Sequence, residues 1–214
     1  GKARDERTQL ASLNLSGCRV GEPGVSALLE AVSFNRSITR LNLSDCHCAD
    51  RVGLLCARML MENTTLQELD LSSNHLGETA AVAIGQSLRA AQLRVLDLSS
   101  NALGDYGGRH IGEALEMNAE LRTLGLARNA LSTLTCFALG RAMRVNSTLE
   151  ELVSSENPLG LENTQRLLRA LQGNEALQSL NLQRCSFISH RESAQAAAKN
   201  GPYLDWRYPS GHYD

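Results

Sequence analysis

The stretch Leu66-Gln67-Glu68-Leu69-Asp70-Leu71-Ser72-Ser73-Asn74-His75-Leu76 reads as LxxLxLxxNxL, and the same phrase, with Asn or Cys in ninth place, begins again at Leu10, Ile38, Leu93, Leu121, Leu149 and Leu177. Successive starts lie 28 residues apart, except for a step of 27 from Leu66 to Leu93. A fixed period of this length marks a solenoid, in which each unit is a single supersecondary element that buries its apolar side only when the next unit covers it.

Within the phrase, one polar residue separates Leu69 from Leu71. Strand alternation therefore sends both inward and turns Glu68, Asp70 and Ser72 to the opposite face. Burying each such leucine is worth roughly 1.5–3 kcal/mol. The ninth position holds Asn74, Asn101, Asn129 and Asn157, or Cys18, Cys46 and Cys185. Here the chain leaves strand geometry, and an asparagine side chain can satisfy the backbone groups stranded above and below it. Left unpaired, each would cost ~1–3 kcal/mol. Cysteine tolerates the same burial with a weaker donor.

Between phrases an apolar stripe recurs at i, i+4 spacing, in the pairs Leu28/Val32, Cys56/Leu60, Ile84/Leu88, Ile111/Leu115, Leu139/Met143 and Leu167/Leu171. That is one face of a helix. Asn35, Asn63, Asn118, Asn146, Asn174 and Asn200 stand three residues before the following phrase. They read as helix stops in the left-handed conformation that asparagine tolerates. Ala91 takes this place in the short third repeat, which predicts an irregularity between Leu88 and Leu93.

A repeat of 20–29 residues carrying this phrase is the signature of a leucine-rich repeat. With a helix in every unit and a 28-residue period, the chain resembles the ribonuclease-inhibitor subfamily, which includes the repeat regions of Ran GTPase-activating protein, tropomodulin and NOD-like receptors. The resemblance covers Leu10 to about Trp206. It implies an α/β fold, a right-handed leucine-rich-repeat solenoid or horseshoe with a concave parallel β-sheet and convex α-helices, made of about seven repeats plus a C-terminal cap. Residues 1–9 form a polar N-terminal segment, 10–202 the repeat domain, and 203–214 an aromatic cap and tail in which Tyr203, Trp206 and Tyr208 fall where a next strand's leucines would stand. The polar start leaves the first repeat's leucines to be covered either by these residues or by an upstream domain or subunit.

Composition narrows the function. A net charge of −2 argues against a nucleic-acid partner. No apolar run reaches the ~20 residues that span a bilayer. The six cysteines fall mostly at core positions of the repeat and suit a reducing compartment, so the expected location is cytoplasmic, with cytoskeletal or nuclear residence included. His47 and His75 should stack on adjacent loops beside Cys46 and Cys48, but Cys46 is committed to the turn and too few ligands remain for a structural zinc. Gly104-Asp105-Tyr106-Gly107-Gly108 lacks the Lys-Ser/Thr ending of a phosphate loop and reads as close packing of helix onto strand. Ser154 replaces an inward leucine, and its hydroxyl is expected to bond to backbone. No nucleophile and base stand in a recognisable pairing, so the chain is read as neither an enzyme nor a cofactor binder.

What remains is the concave wall. It is small and polar, with an acidic centre at Glu68, Asp70 and Asp97, further charges at Arg40 and Glu151, and Arg94, Arg122 and Arg128 at strand entries and rim. With Trp206, these are the candidate partner-binding residues. A partner there is a protein that presents basic groups to the centre. The expected function is a non-enzymatic scaffold within a larger intracellular assembly. The resemblance also implies two alternatives: a regulator of an enzyme, of the GTPase-activator or inhibitor type, or the sensor or autoinhibitory repeats of a NOD-like receptor.

Overall fold

The computed structural model describes residues 10–185. The elements alternate without exception: β1 (Ser12–Asn14), α1 (Gly21–Phe34), β2 (Arg40–Asn42), α2 (Asp50–Glu62), β3 (Glu68–Asp70), α3 (Glu78–Leu88), β4 (Val95–Asp97), α4 (Gly104–Leu115), β5 (Thr123–Gly125), α5 (Thr133–Ala142), β6 (Glu151–Val153), α6 (Leu161–Ala170) and β7 (Ser179–Asn181). The strands form one parallel sheet in sequence order, each displaced from the last by one repeat, so Leu13, Leu41, Leu69, Leu96, Leu124, Leu152 and Leu180 stand in a single register. Strands spaced ~4.8 Å apart under a wider helical layer bend the stack into a solenoid, concave on the sheet side. The expected C-terminal boundary at 202, the cap at 203–214, Asn200 and the segment 1–9 lie outside the described residues.

The core is the leucine ladder closed by the helix stripes. Leu69, Leu71, Leu96, Leu98, Leu124 and Leu126 are all buried, as are Cys56, Ile84, Ile111, Leu139 and Leu167 on the helices. The edge repeats are less covered. In α1 Leu29 is fully buried while Leu28, expected in the stripe, is only partly so, and Cys18, expected inside, is exposed. No described repeat lies against that side.

The ninth-position asparagines do what the phrase requires. The Asn74 side-chain amide donates to the carbonyls of Leu43, one repeat back, at 2.9 Å and of Leu71 at 3.0 Å. Its oxygen accepts from the Cys46 and Cys48 amides at 3.1 and 2.9 Å. Asn157 repeats the pattern toward the preceding loop. Cys46 and Cys185 supply the weaker version, each thiol facing a carbonyl one repeat back, Leu15 and Ser154, at 3.1 and 3.3 Å.

The second asparagine column works differently from the expectation. Asn35 and Asn63 are extended, with φ of −71° and −87°, and no asparagine of this column among the described residues is left-handed. The Asn63 amide instead donates to Val32 and Asn35 carbonyls of the preceding repeat at 2.6 and 3.1 Å, and its oxygen accepts from the Thr65 and Leu66 amides at 2.8 Å. Asn118, Asn146 and Asn174 do the same. The residue stops the helix because its side chain serves the next strand's amides, which requires an extended backbone. Ala91 has no such side chain. There the chain closes with turn bonds from Ala90 to Ser87 and from Ala91 to Leu88, of the same kind as those from Met117 to Ala114 and from Val145 to Ala142, so what sets the short repeat apart is the missing side chain.

A left-handed residue instead stands immediately before the ninth position, at Gly17, Asp45, Ser73, Ser100, Arg128, Glu156 and Arg184, and His47 and Ala130 are left-handed immediately after it. Carboxylates opening one helix also cap the next. Asp105, in the first turn of α4, accepts from the Ser132, Leu134 and Thr135 amides at the start of α5, each at 2.9 Å, and Asp50 accepts from the Gly77 amide ahead of α3 at 2.5 Å. Burial pushes the Asp105 carboxyl up, but those amides and the Thr135 hydroxyl outweigh it and hold its pKa below the ordinary value.

Two expectations are corrected. A Cβ on Gly107 would lie 2.6 Å from Ala81, and one on Gly108 2.6 Å from Leu131 and closer still to Thr135, so these glycines admit the neighbouring repeats and not a strand. Ser154 is fully buried, and its hydroxyl has no hydrogen-bond partner among the described residues.

Candidate functional site

The concave surface is built by the outward residues of the three-residue strands. Because the sheet is parallel and in register, residues 28 apart in sequence (27 across the short repeat) become side-by-side neighbours: Arg40 beside Glu68, Asn42 beside Asp70, Asp70 beside Asp97, and Thr123 beside Glu151. Glu68, Asp70 and Asp97 are thus brought together, with Arg40 at their edge. Glu151 lies on β6, three strands from β3.

Hydrogen bonds divide these charges into two groups. Arg40 donates to Glu68 at 2.8 Å, which raises the arginine's pKa. Arg122, at a strand entry, is bonded to Glu150. Arg128, on the rim, grips Glu156 through two bonds of 2.9 Å, and the bond from Arg128 holds the Glu156 carboxyl below its ordinary range. Arg184 stands 3.8 Å from the same carboxylate. These are solvated pairs between neighbouring repeats and add little to stability. Asp70, Asp97 and Arg94 have no ion-pair partner among the described residues. The acidic centre therefore narrows to Asp70 and Asp97. Trp206 lies outside the described residues.

Each of these two carboxylates also makes a local turn. Asp70 accepts from the Ser72 amide at 2.9 Å and hydroxyl at 2.7 Å, and from the Asn42 amide at 3.0 Å. Asp97 accepts from the Ser99 amide at 2.8 Å. Asn14, Asn42 and Asn181 close the same turn on their own strands, so the column has a structural duty besides its charge. Gly125 was not singled out in the sequence, although it is the sole glycine on an outward strand position. A Cβ there would collide with the Asp97 carboxylate and come within 3.0 Å of the Ser99 hydroxyl, so Asp97 leans over β5 into the space the glycine leaves.

The histidines do stack, with ring centroids 5.6 Å apart, planes 14° apart and His47 Nδ1 3.4 Å from His75 Nε2. Both are exposed on the loop rim, while Cys46 and Cys48 beside them are buried. Burial pushes the Cys48 thiol up to about 11 and the Cys136 thiol up to about 12, so neither is a thiolate at neutral pH. No described helix is long and apolar enough to cross a membrane.

A family model for the leucine-rich repeat matches residues 8–29, 62–85 and 92–112. Among solved structures the chain is similar to the tropomodulin C-terminal domain from Caenorhabditis elegans, with a TM-score of 0.55 at 18% identity over 80% of this chain and 87% of that one. It also aligns with leiomodin-1 actin-binding site 2, with a TM-score of 0.48 at 19% identity over 78% and 81% of the two chains. At 18% identity the likeness to the tropomodulin domain is one of fold. Matched repeats within one uniform stack of seven strands, sharing a single leucine register, make this chain a leucine-rich-repeat solenoid.

Proposed function

We propose that the chain is a non-enzymatic interaction scaffold whose concave sheet holds a protein partner, basic groups inward, within a larger intracellular assembly of the cytoskeletal or signalling kind. The observation that carries this reading is the side-by-side placement of Asp70 and Asp97 on β3 and β4. Like charges directly opposite on neighbouring strands repel, and a cationic side chain seated between them relieves that repulsion. Arg40, Arg122 and Arg128 are bound to other carboxylates, and Arg94 forms no ion pair with either aspartate, so none of them neutralises this pair. Elevated thiol pKa values at Cys48 and Cys136 further disfavour nucleophilic chemistry.

The reading is tested by affinity capture with the full chain and with a variant carrying Asp70→Lys and Asp97→Lys. Charge-pair recognition predicts loss of the captured partner in the variant and a steep fall in affinity with added salt for the parent. Equal capture by both, at low and high salt, would move the interaction off the concave sheet.

A further inference from the structure

The convex helices are packed through small residues at one repeated position. Between α3 and α4 a Cβ on Gly85 would approach the His110 carbonyl oxygen to 2.8 Å, and between α4 and α5 one on Gly112 would approach Ala138 Cβ to 2.7 Å. At the equivalent place between α5 and α6, a Cβ on Gly140 would meet only Ala170, at 3.6 Å. The helical layer therefore parts here, leaving a groove of about 230 Å³ with Phe137, Gly140 and Ala170 as its apolar floor and Arg141, Arg144 and Arg166 along its edges.

The electrostatics are lopsided. The Arg166 guanidinium lies 5.1 Å from the centroid of the Phe137 ring and 2.6 Å from Glu162, whose side chain is 77% exposed. A pair that open to water is readily exchanged for another carboxylate. Arg141 reaches back to Glu116 on the preceding repeat at 2.9 Å. Arg144 has no ion-pair partner among the described residues. Phe137 is 48% exposed and Leu134, one turn earlier on the same helix, 42%. An exposed aromatic ring overlaid by arginine is the composition that concentrates binding energy in protein interfaces. The volume is below the ~300–1,000 Å³ of sites for small-molecule ligands, but it accommodates one side chain of a peptide.

We propose that the groove between α5 and α6 docks an acidic segment of a partner protein, with one apolar side chain over Phe137, Gly140 and Ala170 and flanking carboxylates paired to Arg144 and Arg166. This surface is on the outer layer, so it is independent of the concave reading, and both can be occupied at once.

The test uses the full chain and a fluorescein-labelled, capped pentapeptide with a central phenylalanine between two acidic residues on each side, read by fluorescence anisotropy. Saturable binding is expected, weakened about tenfold or more by Arg144→Glu, as for loss of a close charge pair. Gly140→Leu, which fills the floor, should weaken it comparably while circular dichroism stays native. Asp70→Lys should leave it unchanged, which separates this groove from the concave sheet. The same peptide with lysine flanks should fail to bind. Absence of saturation up to millimolar peptide, equal binding of the lysine peptide, or indifference to Arg144→Glu would each overturn the proposal.

Discussion

Replacing Asn157 by alanine is the sharpest probe of what holds one repeat to the next. Its side-chain amide donates to the Leu126 carbonyl of the preceding repeat at 2.9 Å and to Ser154 in its own at 3.1 Å. Its oxygen accepts from the Asn129 and Leu131 amides at 2.9 and 3.1 Å. The residue is 1% exposed, so truncation leaves three backbone groups of the preceding repeat without a partner and away from water. At ~1–3 kcal/mol for each stranded group, and allowing for partial relaxation, the expected loss is about 3–5 kcal/mol. In urea, with a slope of ~2 kcal/mol per molar, that lowers the unfolding midpoint by roughly 1.5–2.5 M. Because each repeat touches only its neighbours, the weakened joint should also let β6, α6 and β7 melt ahead of the remainder, seen as a shallower or split transition. Asn157→Cys, which retains one weak donor as Cys46 and Cys185 do, should cost about half as much. A loss below about 0.5 kcal/mol for Asn157→Ala would refute the view that this column carries the backbone of the turn.

Other substitutions test other joints. Ser154→Ala removes a buried hydroxyl with no partner among the described residues and should raise the urea midpoint, by a stability gain of about 1 kcal/mol. Gly85→Ala forces a methyl against the His110 carbonyl and should destabilise by ~1–3 kcal/mol, whereas Gly140→Ala, with Ala170 at 3.6 Å, should stabilise α5 by ~0.5–1 kcal/mol; paired thermal melts distinguish the two. Asp105→Ala should cost about 0.5–2 kcal/mol at neutral pH through the lost cap of α5. Because the folded pKa of Asp105 is depressed, its contribution is complete above the unfolded carboxylate value and disappears as pH falls through the folded one. The gap between parent and variant in urea midpoints should therefore begin to narrow below about pH 4 and vanish only below the folded pKa.

The solenoid was legible because its cause is periodic. One leucine register and one asparagine column recur at a fixed step, and the structure places both where alternation and burial require. The cross-repeat ion pairs were legible in principle as well, since Arg40 and Glu68, Arg122 and Glu150, and Arg128 and Glu156 each lie one period of 28 apart, the same spacing that paired His47 with His75. The left-handed position before the ninth residue was not. It is occupied by Gly, Asp, Ser, Arg and Glu in different repeats, ahead of cysteine as well as asparagine, so the turn of the repeat sets it regardless of side chain. The helix-ending asparagines were recognised as stops, but for the wrong reason, because propensity describes the residue's own backbone and not the neighbouring repeat its side chain reaches. The lean of Asp97 over Gly125 and the parting of α5 from α6 depend on how close adjacent repeats come, which no single repeat encodes.

Carboxyl labelling of the chain, free and in complex with its captured partner, followed by mass spectrometry, would read the concave surface directly. Occupation of that surface by basic side chains predicts strong protection of Asp70 and Asp97 in the complex, with the convex Glu162 still labelled as in the free chain. Equal labelling of Asp70 and Asp97 in both states would contradict it.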